Sequence, residues 1–526
     1  MAATDWAYQA LANLEQRHGC VAGYPDGTWQ GGSAISRYEA AALLAACLDR
    51  VTEVTDELKR LLQEFELELA VLKGRVDGLE ARAAELEASQ FSPTTQLRAD
   101  ARWVMGGLSY SGNTLNEPIY RDPRVPGYTP LPDAFTFNYD LRLNFDTSFS
   151  GRDLLRTTLR AGNFARSGFG AEPTPLTELA AGFQQSCGDG SGSGSGGRDC
   201  ANELEINRLF YQVPLGGSVM LTLGARVRQD DLLPVWPSAY TDERILQIFQ
   251  YAGAPGAYSQ VLGGGAGIWW RQAGRATGLS FGGAYVAANA DRAEPAEGGI
   301  ATAGSAAAAT LQLAYTGKNW NLTAAYSRND SNVRFPGTPV TLEILPTTGT
   351  DTGYTNSFAL SGYWQPFQSG WLPSISAGVG LNRIFYSGRN TLVSSEELGY
   401  RAASESWMVG LVWQDAFVAG NSLGLAFGQP MRAINTDGDT VCEAWFPPAC
   451  LADGSKPSGD FHKQKDQNFA MELYYRMAIS DRITITPALF WFSRPQGQYT
   501  LNYGPGTDNR GSLSSLGGLI QSTFRF

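Results

Sequence analysis

The chain has 526 residues, more than one ordinary soluble domain requires, and its formal net charge of -11 argues against a nucleic-acid partner. No run of 18 apolar residues occurs, which excludes a spanning helix but not a barrel, whose strands carry apolar residues only at alternate positions. With 61 Gly, 11% aromatic residues and 2 His, the composition suits strands, tight turns and aromatic girdles rather than metal catalysis. No secretory leader precedes Asp5-Trp6, so the expectation is a mature chain whose export signal has been removed.

Residues 1–50 read as a small helical unit. Trp6, Ala10, Leu11 and Leu14 share one face of a helix over Trp6 to His18. Gly23-Tyr24-Pro25-Asp26-Gly27-Thr28-Trp29 has turn chemistry, with Pro25 setting φ and Gly27 free to take positive φ. Ser36 with Glu39 three residues on is a capping box that opens a second helix. Helix, GYPDGTW and then SRYEAAALL resemble one S-layer homology module, with Ser36 where Thr is usual. The resemblance implies binding of polysaccharide linked to peptidoglycan. It points to Asp26, Trp29 and Arg37 as polymer contacts: an indole stacks on a sugar face and a guanidinium pairs with an anionic substituent. The other reading makes Arg37 a helix brace and Trp29 a core residue.

Residues 51–92 read as a coiled-coil helix. Leu44, Leu48, Val51, Thr55, Leu58, Leu62, Phe65, Leu69, Leu72, Val76, Leu79, Ala83 and Leu86 step alternately by four and three, an a/d seam with Glu, Lys and Arg on its flanks. Such a helix would reach ~65 Å at about 1.5 Å per residue. Self-association is expected. A trimer would match a trimeric pore, although the mixed Leu/Val seam does not separate two strands from three. Ser92-Pro93 ends the helix.

From residue 93 to 526 the period changes to two. Leu97, Ala99, Ala101 and Trp103 alternate with Gln96, Arg98, Asp100 and Arg102. Phe135 to Phe145 and Val219 to Val227 alternate likewise with polar residues, many of them charged. Sixteen strand-like segments follow, near 95–106, 134–148, 154–166, 203–214, 217–229, 265–272, 276–290, 306–318, 320–329, 354–367, 371–386, 405–418, 421–434, 468–480, 482–496 and 517–526. Their links alternate between short turns and long loops. Alternation alone fits a soluble sandwich as well, but short links at one end and long ones at the other are the pattern of a transmembrane barrel of even strand number. The fold class is therefore mainly β: an antiparallel barrel of about sixteen strands after a small helical domain and a coiled coil.

The last ten residues, GGLIQSTFRF, alternate and stop on an aromatic. This resembles the terminal signal of bacterial outer-membrane barrels. The order of parts resembles the OprB-like porins of cyanobacteria, named for carbohydrate or iron uptake, in which an S-layer homology module and a coiled coil precede the barrel. That resemblance implies a passive outer-membrane diffusion porin for small ions and small polar solutes, a homotrimer in lipid, tethered to peptidoglycan-linked polysaccharide by a periplasmic N-terminal domain. The alternative is a structural tether whose barrel is largely closed by its loops.

No catalytic constellation is visible, and no cofactor or metal is expected. His18 and His462 lie far apart in the sequence, and Gly263-Gly264-Gly265-Ala266-Gly267 lacks the Lys and Ser/Thr of a phosphate loop. Asn435, Asp437 and Asp439 around Gly438 read as a solvated turn rather than a cation loop. A pore works through charges at its constriction. Arg98, Arg102, Arg142, Arg156, Arg160, Arg226 and Arg228 fall on the polar faces of the first five strands. The next long loop carries Asp230, Asp231, Asp242 and Glu243 with Arg244, Trp236 and Tyr240. Folded inward, it would set acidic groups against an arginine wall. The six cysteines make three sequence-local pairs, Cys20 with Cys47, Cys187 with Cys200 and Cys442 with Cys450, which suggests disulfides in an oxidising compartment.

Overall fold

The computed structural model describes residues 5–18, 36–48, 55–73, 75, 94–116, 131–170, 175–183, 201–240, 244–272, 277–346, 352–386, 401–437, 466–497, 500 and 511–526. The chain divides into two compact units, Met1–Pro93 and Thr94–Phe526.

The first unit holds α1 (Trp6–His18), α2 (Arg37–Leu48) and α3 (Asp56–Glu64). The capping box forms as expected: the Glu39 N–H donates to Ser36 Oγ at 3.2 Å and the Ser36 N–H donates to Glu39 Oε2 at 2.7 Å. Leu11, Leu14, Leu43, Leu44, Cys47, Leu58, Leu61 and Phe65 make one buried core. The heptad does not run unbroken from Leu44. Thr55, a seam position in the sequence reading, is instead the N-cap of α3, its Oγ1 accepting from the Leu58 N–H at 3.2 Å. The apolar stripe of α3 therefore packs within its own chain, where α1 and α2 offer a nearer partner than a second copy. The rest of the predicted seam, Val76 to Leu86, lies outside the described residues. Cys47 is not a free thiol; Cys20, Cys187, Cys200, Cys442 and Cys450 also lie outside them.

The second unit is a closed antiparallel barrel. Its strands are β1 (Thr95–Ser111), β2 (Thr136–Thr147), β3 (Leu154–Gly162), β4 (Glu205–Leu215), β5 (Val219–Arg228), β6 (Leu262–Arg271), β7 (Gly278–Ala287) and β8 (Ala307–Thr316). They continue as β9 (Trp320–Asp330), β10 (Gly353–Trp364), β11 (Ser374–Tyr386), β12 (Arg401–Gln414), β13 (Ser422–Asp437), β14 (Ala470–Ser480), β15 (Ile483–Phe492) and β16 (Ser514–Arg525). Each of the sixteen expected segments is a strand. Several run further toward the long loops than their composition suggested. Asn435 and Asp437, read as part of a turn, continue β13.

The terminal strand closes the barrel. β16 pairs with β1 from Asp100↔Arg525 to Ser111↔Ser514. Phe526 extends the ladder: Ala99 N–H donates to its carbonyl at 2.7 Å, and its own N–H donates to the Ala99 carbonyl at 3.0 Å. Trp103 packs on Phe524, ring centroids 4.9 Å apart.

The faces are inverted relative to a soluble protein. Leu311, Leu313, Leu322, Phe358, Leu360, Val379 and Leu381 are exposed on the outside. Thr310, Gln312, Thr323, Ser357, Ser361, Ser376 and Ser406 are buried inside. Trp270, Tyr315, Trp320 and Trp364 stand near the short-turn rim, and Tyr285, Tyr354 and Phe385 near the long-loop rim, as two aromatic girdles. An outward position in the middle of a strand then tolerates charge poorly. Leu360→Arg should destabilise the folded barrel by about 2–4 kcal/mol in lipid vesicles, while the inward Ser361→Thr changes stability far less. Equal effects in urea unfolding would contradict the assignment of faces.

Candidate functional site

The arginines of the first strands form a wall inside the barrel. Arg160 on β3 forks onto Asp140 of β2, Nε at 2.6 Å and Nη2 at 3.0 Å. Arg142 donates to the same carboxylate at 3.0 Å, and Arg102 of β1 is the register partner of Asp140. Arg156 forks onto Asp146 at 2.7 and 2.8 Å. Arg208 of β4, which the sequence reading did not single out, reaches Asp231 at 2.6 Å, and Arg228 forks onto Asp230 at 2.5 Å. Six guanidiniums thus meet four carboxylates on one wall. Such forked pairs are planar and directional, so they fix the side chains as well as hold charge.

Two predicted wall residues stand apart. Arg98 is exposed and donates to Gln96 at 3.2 Å. Arg226 lies at a bulge between Gly224 and Val227, 3.7 Å from Glu205. The bulge reverses the alternation, so Val227, expected on the outer face, is fully buried in the interior. One extra residue shifts the register, which turns Val227 inward, while Arg228, the last residue of β5, is held on the inner wall by its fork onto Asp230.

The segment after β5 folds across the interior. Asp230 and Asp231 belong to a 3-10 turn, Gln229–Leu232, and Asp231 accepts from the Arg228 N–H at 3.0 Å. Gln229 then donates to Thr310 of β8, and Gln312 donates to the Val235 carbonyl at 3.1 Å. Ser376 of β11 accepts from the Ala239 N–H at 2.8 Å. Further on, Ser361 of β10 donates to the Ala252 carbonyl and Ser406 of β12 to the Gly253 carbonyl, both at 2.8 Å. The approach is backbone to backbone. A Cβ on Gly378 would sit 1.9 Å from the Ala252 oxygen, so only glycine fits there.

Glu472 on β14 holds the middle of this segment. Its buried carboxylate accepts from Tyr240 Oη at 2.8 Å, the Leu246 N–H at 2.6 Å and the Ile245 N–H at 3.3 Å. Sequence reading missed it. The signal was present: Glu472 alternates with outward Met471 and Leu473, which puts a lone carboxylate on the inner face. Asp242 and Glu243 lie outside the described residues. The loop after β3 joins the same structure. Leu179 bridges to Leu246, and the Gln247 N–H donates to the Glu178 carbonyl at 2.9 Å. Burial pushes the Glu178 carboxyl up to about 7, against the opposing charge of Arg160.

A second segment also turns inward. Helix α4 (Pro339–Glu343) is N-capped by Thr338, whose N–H donates to the Met431 carbonyl of β13 at 3.0 Å. Asp466 accepts from Thr338 Oγ1 and from the Ala433 N–H at 3.0 Å. Apolar side chains fill the interfaces, with Tyr258, Phe335 and Met431 in one cluster and Tyr240, Phe249, Phe490 and Phe492 in another. The lumen is therefore narrowed by folded chain, with the arginines on one wall and small hydroxyl residues on the other.

Arg37 is engaged within the first unit. It donates to Glu64 Oε1 at 2.8 Å, to Glu68 Oε1 at 2.5 Å and to the Glu64 carbonyl at 2.6 Å. Its partners Asp26 and Trp29 in the sequence reading lie outside the described residues.

The Glu472 geometry has a direct test. Glu472→Ala leaves three buried donors without an acceptor, at about 1–3 kcal/mol each. Amide hydrogen exchange over residues 244–251 should accelerate at least about tenfold in the folded variant. Unchanged exchange would remove Glu472 as the anchor.

A family model described as "Carbohydrate-selective porin, OprB family" matches residues 53–230 and 449–526. An uncharacterized protein of Nostoc sp. is 30% identical, the match covering 99% of this chain and 83% of that protein. One of Synechocystis sp. is also 30% identical, over 93% of this chain and 84% of that protein. Outer membrane protein SlpA of Deinococcus radiodurans is 40% identical over 15% of this chain and 8% of its own length. Among solved structures, Pseudomonas putida OprB is similar at a TM-score of 0.46 and 10% identity, covering 82% of this chain and 94% of that one. The inverted barrel and the relatives agree: the chain belongs to the OprB family of carbohydrate-selective porins, non-enzymatic channel proteins of the outer membrane.

Proposed function

We propose that the protein is a passive diffusion porin for small ions and small polar solutes. The observation that carries this reading is the charged wall from β1 to β5 facing an inward-folded segment and small hydroxyl residues. Opposed polar walls orient a dipolar solute and keep water in the path. The excess of guanidiniums over carboxylates on that wall favours anions. Single-channel recording of the full-length protein under a salt gradient is the test. Discrete steps with an anion-selective reversal potential are expected. No steps from folded protein, shown by heat-dependent migration in detergent gels, would overturn the reading. The two apolar clusters inside the barrel favour the second reading in that case: a barrel closed by its loops, with anchoring as its role.

We also propose that the N-terminal unit lies in the periplasm and binds peptidoglycan-linked polysaccharide, and that three copies assemble through the heptad beyond residue 75. The GYPDGTW turn and the SRYE helix start support the first. The surviving stretch of the heptad, Val76 to Leu86, supports the second. Because Arg37 spends its donors on Glu64 and Glu68, the polymer contacts fall mainly to Asp26 and Trp29. In a peptidoglycan pull-down of the full chain, Trp29→Ala should lose retention. Arg37→Ala should weaken it only as far as it loosens α2 from α3. Full retention by Trp29→Ala would remove the site.

A further inference from the structure

Among the described residues, the mostly apolar outer face carries a polar row at one rim. A single register row across three strands reads Arg328 on β9, Asn356 on β10 and Arg383 on β11, flanked by Ala309 of β8 and Ala403 of β12. The row faces outward: Arg328 and Arg383 are exposed, while their strand neighbours Ser327, Asn329, Asn382 and Ile384 are buried. It lies at the long-loop rim, within the last turn of residues of β9, at the level of the second aromatic girdle.

The groups are arranged with their donors open. The Arg328 guanidinium lies over the Tyr354 ring, 3.7 Å from its centroid, which covers one face and leaves the N–H edges clear. Tyr354 is itself stacked on Phe385, centroids 5.1 Å apart. The Asn356 carbonyl accepts from Tyr326 Oη at 3.0 Å, so the tyrosine uses its acceptor and not its amide N–H groups. Beside Arg328 an outward cavity of about 480 Å³ opens between the rim and the loop residues Thr302 and Thr352.

The two arginines of the row outnumber the one carboxylate beside them, Asp330, which lines the same cavity and accepts from Ser305 Oγ at 3.3 Å. The outward carboxylates nearby are Asp330, the next outward residue after Arg328, and Glu405 on β12. Glu405 is taken by Arg432 of β13. Arg383 makes no ion pair among the described residues. Arginine facing lipid is costly at the bilayer midplane and far less so at the headgroup level. The row therefore marks the headgroup level and presents unpaired donors to it.

We propose that this row binds the phosphate headgroup of an anionic membrane lipid. Arg328 and Arg383 stand two strands apart, ~10 Å between backbones, so their side chains converge on one phosphate above Asn356 or take two on a single headgroup. The cavity beside Arg328 receives the polar remainder of the headgroup, and the acyl chains follow the apolar outer face.

Native mass spectrometry of the detergent-purified full-length protein tests this, with phosphatidylglycerol and phosphatidylcholine of matched chains as probes. Wild type should bind the anionic lipid at least about tenfold more tightly. The double variant Arg328→Gln, Arg383→Gln should lose that preference, and Arg328→Lys with Arg383→Lys should keep part of it. Arg152→Gln, in the exposed short turn after β2, should retain all of it. Heat-dependent gel migration checks that each variant is folded. Equal binding of both lipids by wild type would overturn the proposal. So would an equal loss in Arg152→Gln, or outright displacement of the lipid by inorganic phosphate.

Discussion

In hydrocarbon, an unpaired backbone amide or carbonyl has no water to turn to, so a chain that crosses by strands must bring its last strand back to its first. The pairing of β16 with β1 meets that demand, and it extends to the final residue, where Phe526 exchanges both backbone bonds with Ala99. The rest of the barrel depends on this closure. Once no edge is left, the outward residues need only suit lipid and the inward ones only water, which is why leucines are exposed and serines buried.

That inversion leaves the interior with a problem of its own. A segment folded into a polar lumen must satisfy its own backbone, and the inner wall does this with short hydroxyl and amide side chains. Ser361 and Ser406 donate to its carbonyls, Ser376 accepts from an N–H, and Asn329 donates to the Gly256 carbonyl at 2.8 Å. The wall residues are small because the segment presses against them. Gly378 faces the Ala252 oxygen, and a Cβ on Gly410 would meet the Tyr240 ring at 2.5 Å. On the other side the strands carry arginines, whose forked pairs with Asp140, Asp146 and Asp230, and the single bond from Arg208 to Asp231, keep them in place. The two walls differ in how they are held: one meets the backbone of the folded segment with short hydroxyls, the other is fixed by ion pairs.

The first unit shows a similar economy on a smaller scale. An apolar stripe of period 3.5 takes whatever apolar face is nearest. In α3 that face is supplied by α1 and α2, and Leu58, Leu61 and Phe65 are buried within the chain. Arg37 braces the arrangement by reaching from α2 to Glu64 and Glu68 across Phe65. A residue type suited to a ligand serves here as a clamp between helices.

By itself the sequence determined the class of fold, the number of strands and the sidedness of most of them. Period-two alternation and alternating link lengths are local properties, and a membrane barrel adds little that is not local. The capping box at Ser36 and Glu39 was legible for the same reason. Arg102, Arg142, Arg156 and Arg160 were readable as inward because nothing interrupts the alternation of β1 to β3. What only the tertiary structure decided depends on contacts distant along the chain. The bulge at Gly224 to Val227 turned Val227 inward, since register is set by the neighbouring strands rather than by the residues themselves. The cap at Thr55 broke a heptad that periodicity alone would continue. Glu472 became an anchor only when a segment more than two hundred residues earlier folded across the barrel to meet it, and no local pattern carries the path of a loop.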